Sequence, residues 1–147
     1  MYMEKAEFSI SIREVAISNL FKINIKHQEE GESLVCFEEL SKYIENILLG
    51  IDVFPIFLDG RTKNEKGEIE YVLLNYKNRI NSVLNYILSK YNLCGLEILK
   101  DLENKSFNDL SLPLRNRILC HRFLFYIIEY TKSEEVFDKL TGQLFIR

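Results

Sequence analysis

Residues 37–58 read FEELSKYIENILLGIDVFPIFL, and they join a helical pattern to a strand pattern. The apolar residues of the first part recur at three- and four-residue spacing, which places Phe37, Leu40, Ile44, Ile47 and Leu48 on one stripe of a helix. This spacing predicts a helix over 37–49 with Gly50 as its C-terminal cap. The run 53–58 is too short for a helix and rich in strand formers, so it predicts a strand with Pro55 near its end.

The chain after this strand predicts a hairpin and a second helix. Asp59-Gly60 begins a turn, which the polar residues 63–67 continue, and residues 68–74 return as an extended segment. The next apolar residues follow an i, i+3, i+4, i+7 pattern, namely Ile80, Val83, Leu84 and Ile87. They predict an amphipathic helix over 77–90.

The N-terminal part alternates apolar and polar residues over 8–12, which predicts a half-buried strand. Ser11 followed by Glu14 is also a candidate capping box for a short helix through Leu20, so two interpretations of this boundary remain open. Residues 26–33 are polar, contain a glycine and lack a period, so we expect a loop there.

The C-terminal part begins with Ser111-Leu112-Pro113, a helix-start signal, and predicts a helix to about His121. Residues 123–128 are a candidate strand, and residues 133–140 a final short helix. The mixture of a hairpin, separate strands and amphipathic helices predicts an α+β fold.

Both faces of the candidate strand at 123–128 are apolar. Phe123, Phe125 and Ile127 would point to one face. The other face would carry Leu124, Tyr126, Ile128 and Tyr130. Either the strand is central and covered on both faces, or one face is exposed and is suited to a partner or a homodimer.

Composition indicates one globular domain over residues 1–147, since 47% of the residues are hydrophobic and 28% charged. The net charge of −3 argues against a wholly basic nucleic-acid binder but permits a local basic patch. The three cysteines are far apart, so no disulfide framework is expected. We predict a buried Cys120 beside a surface His121, and with only two histidines we expect no metal site.

The N-terminus carries charges where a signal peptide needs an apolar core, and the apolar runs are shorter than the roughly 20 residues that span a bilayer. We therefore expect a cytoplasmic protein without a membrane partner.

Several phrases resemble a known family. Residues 43–51 are similar to the "(F/L)IESILLGIP" helix end of the GmrS-type domain of GmrSD modification-dependent restriction enzymes, and Pro55-Ile56 to the "PI" strand that follows it. Residues 95–110 resemble its "GL…LNGKTFSDLP" stretch. The resemblance covers nearly the whole chain. It implies a ParB/sulfiredoxin-like fold, a small mixed sheet with amphipathic helices packed on it.

The family's activity motif, Asp-Gly-Gln-Gln-Arg, stands where the return strand enters the next helix. The matching positions here are Asn75, Tyr76, Lys77, Asn78 and Arg79, so only the arginine is retained. An amide cannot supply the charge or proton chemistry of the lost carboxylate, and the Tyr76 side chain would fill the space left by glycine. Asp59-Gly60-Arg61 lies before the return strand, and we interpret it as turn chemistry.

Two further family elements are altered. The early Gln-Arg and Trp of the family have no counterpart in residues 30–36, and the C-terminal "FxRLNxGG" element corresponds to residues 136–142 with lysine for arginine and threonine for asparagine. The helical and HNH-type nuclease regions of full-length relatives are also expected to be missing from this chain.

These departures predict a non-catalytic binding or regulatory protein, derived from a defence-enzyme NTPase domain and acting through contact with another protein, without a cofactor. One alternative is an altered enzyme in which Lys77 and Arg79 contact a phosphate and Asp59 or Glu70 supplies a carboxylate. Another is a DNA-binding module that uses basic residues, namely Lys77, Arg79, Arg115, Arg117 and Arg122. Charges of this kind more often form the solvated faces of helices.

Overall fold

The computed structural model describes residues 7–26, 37–51, 55–75 and 77–144, without the side chains of Lys77, Asn78 and Leu144. Its strands are β1 (Phe8–Ala16), β2 (Ile56–Asp59), β3 (Val72–Leu73) and β4 (Arg122–Thr131). Its α-helices are α1 (Phe37–Leu49), α2 (Lys77–Ile87), α3 (Leu112–Cys120) and α4 (Glu134–Leu144). Short 3₁₀ turns at Ile17–Lys22, Lys100–Leu102 and Phe107–Asp109 connect them.

The strands form one mixed sheet in the order β1-β4-β2-β3. β1 runs antiparallel to β4, β4 runs parallel to β2, and β2 runs antiparallel to β3. The predicted α+β class is therefore confirmed. β4, between β1 and β2, is an interior strand.

Helix α1 has the predicted bounds. Gly50 adopts a φ of +72°, its N–H donates to the Ile47 carbonyl at 3.1 Å, and the Ile51 N–H donates to the Asn46 carbonyl at 3.0 Å. These two bonds form a Schellman motif, which satisfies the last carbonyls of the helix and favours glycine at the left-handed position.

Other boundaries differ from the sequence-based expectations. β1 continues to Ala16, so a helix that starts from Ser11 is wrong, and the 3₁₀ turn begins only at Ile17. β2 and β3 form the predicted hairpin, but Asp59 belongs to the strand and the regular return strand is confined to Val72–Leu73. Pairing with β1 extends β4 to 122–131, α2 ends at Ile87, and α4 spans 134–144. The loop predicted over 26–33 lies almost entirely outside the described residues.

The core lies between the helices and one face of the sheet. Phe123, Phe125 and Ile127 of β4 are buried there, in a single apolar cluster with side chains of the first two helices such as Ile44 and Val83. The alternation of a strand explains why these three residues share a face.

Candidate functional site

Residues 75–79, which the sequence analysis compared with the GmrS-type activity motif, span the junction between β3 and α2. β3 ends at Leu73 and α2 begins at Lys77. Tyr76 lies outside the described residues, as do the side chains of Lys77 and Asn78, which occupy the first two helical positions. The candidate phosphate contact of Lys77 therefore remains a prediction.

Asn75 is bound to the backbone of the neighbouring strand. Its side-chain Oδ1 accepts a hydrogen bond from the Phe57 N–H at 2.8 Å, and its Nδ2 lies 3.5 Å from the Pro55 carbonyl oxygen. The first contact is short and the second is at the long limit for a hydrogen bond. Asn75 thus fixes the start of β2 against the segment that leads into α2.

Arg79, the one residue of this segment that matches the compared motif, faces the protein interior. It is 7% exposed, and its guanidinium carbon lies 5.3 Å from the centroid of the Tyr43 ring on α1. This distance is within the range of a cation–π contact. The arginine therefore packs at the contact between α1 and α2, and the described geometry does not direct it into an open cleft.

The two carboxylates considered for an altered enzyme each have a basic neighbour. Glu70 lies 4.0 Å from the Lys26 ammonium nitrogen. Asp59 is buried at the end of β2 and forms a bidentate pair with Arg61, with Nε–Oδ1 and Nη2–Oδ2 distances of 2.9 and 3.0 Å. Such parallel bonds are among the stronger charge-assisted contacts in proteins.

Arg61 also binds the beginning of α4. Its Nη1 donates to Thr131 Oγ1 at 3.0 Å and to Glu134 Oε1 at 2.9 Å, and its guanidinium carbon stacks 3.7 Å from the centroid of the Phe137 ring. The hydrogen bond to Asp59, despite burial, raises the pKa of Arg61 above its ordinary value. We call Asp59, Arg61, Thr131, Glu134 and Phe137 the Arg61 network.

The interpretation of Asp59-Gly60-Arg61 as turn chemistry is therefore incomplete. The Arg61 N–H does close a local turn on Asp59 Oδ1 at 3.1 Å, but the side chain reaches partners 70 and 73 residues away. Sequence reasoning missed this network because its partners meet only when β2 lies beside β4.

A second buried carboxylate, Glu45, connects α1 to the segment that follows α2. It is 4% exposed and accepts the backbone N–H groups of Glu97, Ile98 and Leu99 at 3.4, 3.0 and 2.8 Å. Burial acts to raise the pKa of Glu45, but these backbone bonds and the charge of Lys42 together lower it below its ordinary value. The contact is structural, since it fixes the segment after α2 against α1.

The second face of the sheet is partly uncovered. Ile128 is fully buried there, whereas Leu124 and Tyr126 are half-buried and Ile12 of β1 is 61% exposed. The Arg61 network holds α4 near the Asp59 end of this face. We call Ile12, Leu124 and Tyr126 the open face; Ile128, further along β4 on the same face, is buried, so this face is covered at one end.

The basic residues considered for DNA have separate environments. Arg79 packs against Tyr43, and Arg122 lies 3.6 Å from Glu14 on β1. Arg117, in the last turn of α3, lies beside Gly50 at the C-terminal end of α1, where the carbonyl groups favour a cation.

The cysteine and histidine at the end of α3 are arranged opposite to expectation. Cys120 is exposed, whereas His121 is half-buried with its ring packed edge-on against Phe123, 5.6 Å between centroids. Within the described ranges, no group of three or more His, Cys, Asp or Glu side chains could hold a metal ion.

No helix in the part of the chain that the structure describes is long and apolar enough to cross a membrane. Comparisons of the chain with protein-family models, with curated proteins and with solved structures found no match.

Proposed function

We propose that this protein is a non-catalytic binding or regulatory protein of the cytoplasm, derived from a GmrS-type, ParB/sulfiredoxin-like NTPase domain of a defence enzyme. It acts by contact with another protein, either by mimicking one subunit and blocking assembly or by regulating a defence complex. The observation that carries the proposal is the use of the motif positions for packing: Asn75 binds the β2 backbone and Arg79 packs against Tyr43.

Both contacts argue for a scaffold function at this junction. A carboxylate at a strand end can hold a metal ion or its water, but an amide whose oxygen already accepts a backbone N–H at 2.8 Å offers neither that charge nor that proton chemistry. A guanidinium that reaches a nucleotide phosphate must be accessible, whereas Arg79 is almost fully buried.

The open face supplies the binding surface of the proposal. Apolar surface at a protein–protein contact is often rimmed by polar groups, and here Glu14 and Arg122 lie at the border of Ile12 and Leu124. The proposed partner would cover Leu124 and Tyr126, which the described helices leave half-buried.

Nucleotide binding is the first test. Calorimetry of the purified protein with ATP, GTP and their deoxy forms, with and without magnesium, is expected to give no magnesium-dependent signal. The control variant is Arg79→Lys, which keeps the charge but loses the planar fork, with its fold checked by circular dichroism. A magnesium-dependent signal that Arg79→Lys abolishes would contradict the proposal and favour the altered enzyme.

Complex formation is the second test. The protein is mixed with a purified, active GmrS-type enzyme, and we expect inhibition of its NTP hydrolysis together with co-elution. Tyr126→Lys places a charge on the open face and should weaken both effects, while Glu135→Gln, on the exposed side of α4, should not. Unchanged hydrolysis without co-elution would contradict this mode of action. A salt-dependent shift of duplex DNA would favour the DNA-binding alternative.

A further inference from the structure

The outer edge of β1 carries an inference that does not depend on the proposed function. β1 is the first of the described strands in the sheet order, so one of its sides pairs with β4 and no other described strand pairs with its outer side. A long edge strand offers backbone N–H and C=O groups to another strand, and proteins usually blunt or cover such edges.

The direction of each backbone group of β1 follows from the two ends of its pairing with β4. The Ile17 N–H donates to the His121 carbonyl at 2.8 Å, directly after the Ala16–Arg122 pair. Antiparallel pairs alternate between hydrogen-bonded and non-hydrogen-bonded types. The odd-numbered residues of β1 therefore bond β4, and the outward groups belong to the even-numbered residues Ala16, Glu14, Ile12 and Ile10.

The hydrogen bonds at the N-terminal end of β1 show the same alternation of inward and outward groups. The Lys132 N–H donates to the Glu7 carbonyl at 2.7 Å, so Phe8 also points outward. The register changes between Ser9 and Ile10, where the partners are Tyr130 and Ile128, so the extra residue of the bulge, Glu129, belongs to β4. β1 itself alternates without interruption over all nine residues.

On the face of the sheet that carries Ile12, the side chain at the centre of this edge is apolar, whereas the exposed Arg13 lies on the opposite face. Ile12, the middle residue of β1, is 61% exposed, and Phe8 is 44% exposed on the same face. Glu14, the next residue of β1 on this face, forms an exposed ion pair with Arg122 at 3.6 Å. An exposed β-branched residue at the middle of a regular edge favours strand addition more than protection of the edge.

The strand is complementary to itself. If two copies of β1 run antiparallel about a two-fold axis at Ile12, Ile12 lies opposite Ile12, Glu14 opposite Ile10, and Arg13 opposite Ser11. All nine residues then overlap, outward groups meet outward groups, and neither charge lies directly opposite a like charge. A register shifted to place the axis at Arg13 would set two guanidinium groups opposite each other.

We propose that a second copy of this chain pairs with the outer edge of β1 about a two-fold axis at Ile12, which joins two sheets into one continuous eight-stranded sheet. The outward groups of Phe8, Ile10, Ile12, Glu14 and Ala16 exchange hydrogen bonds with those of the partner copy. The contact is isologous and closes as a dimer.

Site-specific crosslinking tests this geometry. In a background with Cys36→Ser, Cys94→Ser and Cys120→Ser, Ile12→Cys puts two thiols on Cα atoms about 5.5 Å apart across the axis. A short bis-maleimide, in which each of the two ring double bonds adds one thiol, should then give a covalent dimer. Glu14→Cys is the matched control, because its Cα atoms would be about 14 Å apart at the strand rise. Crosslinking of Glu14→Cys in place of Ile12→Cys, or of neither, would overturn the proposed register.

Oligomeric state and amide exchange test the contact without a reagent. Sedimentation of the wild type at micromolar concentrations should show a dimer, and the Ile12 and Glu14 amides should lose protection on dilution while those of Ser11 and Arg13 keep it. Ile12→Pro removes an outward N–H and should give a folded monomer, whereas Ser11→Pro removes a bond to β4 and should destabilise the fold. A wild type that sediments as a monomer throughout would refute the dimer.

Discussion

Glu45 shows how one buried charge supports this fold through three backbone donors. We expect Glu45→Gln to lower the free energy of unfolding by about 1–3 kcal/mol, because charge-assisted bonds to buried N–H groups are weakened. Since the folded pKa of Glu45 is lowered, its contribution is complete above the unfolded pKa and is lost as pH falls through the folded pKa. Urea unfolding from neutral to acidic pH should show a smaller acid dependence in the variant.

Glu97→Gln is the control for this prediction. Its exposed carboxylate lies 3.2 Å from the Lys42 ammonium nitrogen, and exposed ion pairs contribute little. Equal effects of the two substitutions would show that Glu45 contributes no more than a surface charge.

Asn75 gives a second prediction for a single side chain. Asn75→Ala removes the acceptor of the Phe57 N–H and should destabilise the protein by about 1–3 kcal/mol. Asn75→Asp keeps an oxygen at this place and should cost less. In thermal unfolding, the melting temperature should be highest for the wild type, lower for Asn75→Asp and lowest for Asn75→Ala. If Ala matches the wild type, the hydrogen bond to β2 is not the function of this residue.

At the scale of elements, the Arg61 network attaches α4 to the sheet. Arg61→Lys keeps the charge but cannot form the bidentate pair with Asp59 while also reaching Thr131 and Glu134. We expect faster amide exchange in α4, with a smaller change in the strands, as measured by NMR. Lys139→Gln removes only the exposed pair with Glu135 and should leave exchange unchanged. Uniform acceleration across the sheet in Arg61→Lys would contradict a local attachment.

Two glycines, one just after the end of α1 and one within α4, should respond to alanine in opposite directions. Gly50→Ala forces a side chain into a left-handed conformation at the end of α1 and should destabilise by about 1 kcal/mol. Gly142 lies within α4, where an added Cβ would meet no described atom within 4 Å other than those of its chain neighbours and its own helical backbone, so Gly142→Ala should stabilise by about 0.5–1 kcal/mol. Chemical denaturation measures both. If both substitutions stabilised the protein, or both destabilised it, the end of α1 at Gly50 or the helical position of Gly142 would be wrong.

For the whole molecule, the buried tyrosines predict an alkaline limit to stability. Burial raises the pKa of Tyr91 to about 12, against the lowering effect of its hydrogen bond with Ser82, and burial also raises the pKa of Tyr86. Because these folded pKa values lie above the unfolded ones, their contribution is complete below the unfolded value, near 10, and is lost as pH rises toward the folded value. Circular dichroism and tyrosinate absorbance should therefore change together in strong alkali. Tyrosinate absorbance that reaches its full value while the dichroism stays native would contradict this coupling.

The sequence by itself determined the elements whose signals are local. The apolar stripe of α1 and the cap at Gly50 lie within fourteen consecutive residues, 37–50, and the structure has the same bounds. The strand that follows Pro55 and the hairpin with residues 72–73 were likewise predictable, because backbone preferences and turn residues act over a few positions.

Only the tertiary structure decided the contacts between distant segments. β1 and β4 extend beyond their sequence patterns because each supplies the hydrogen-bond partners of the other. The Arg61 network and the bonds of Glu45 join residues more than fifty positions apart, and no local pattern marks either residue as a partner. Sheet order brings β2 beside β4, and this placement determines which charges are buried together and which strand edge faces outward.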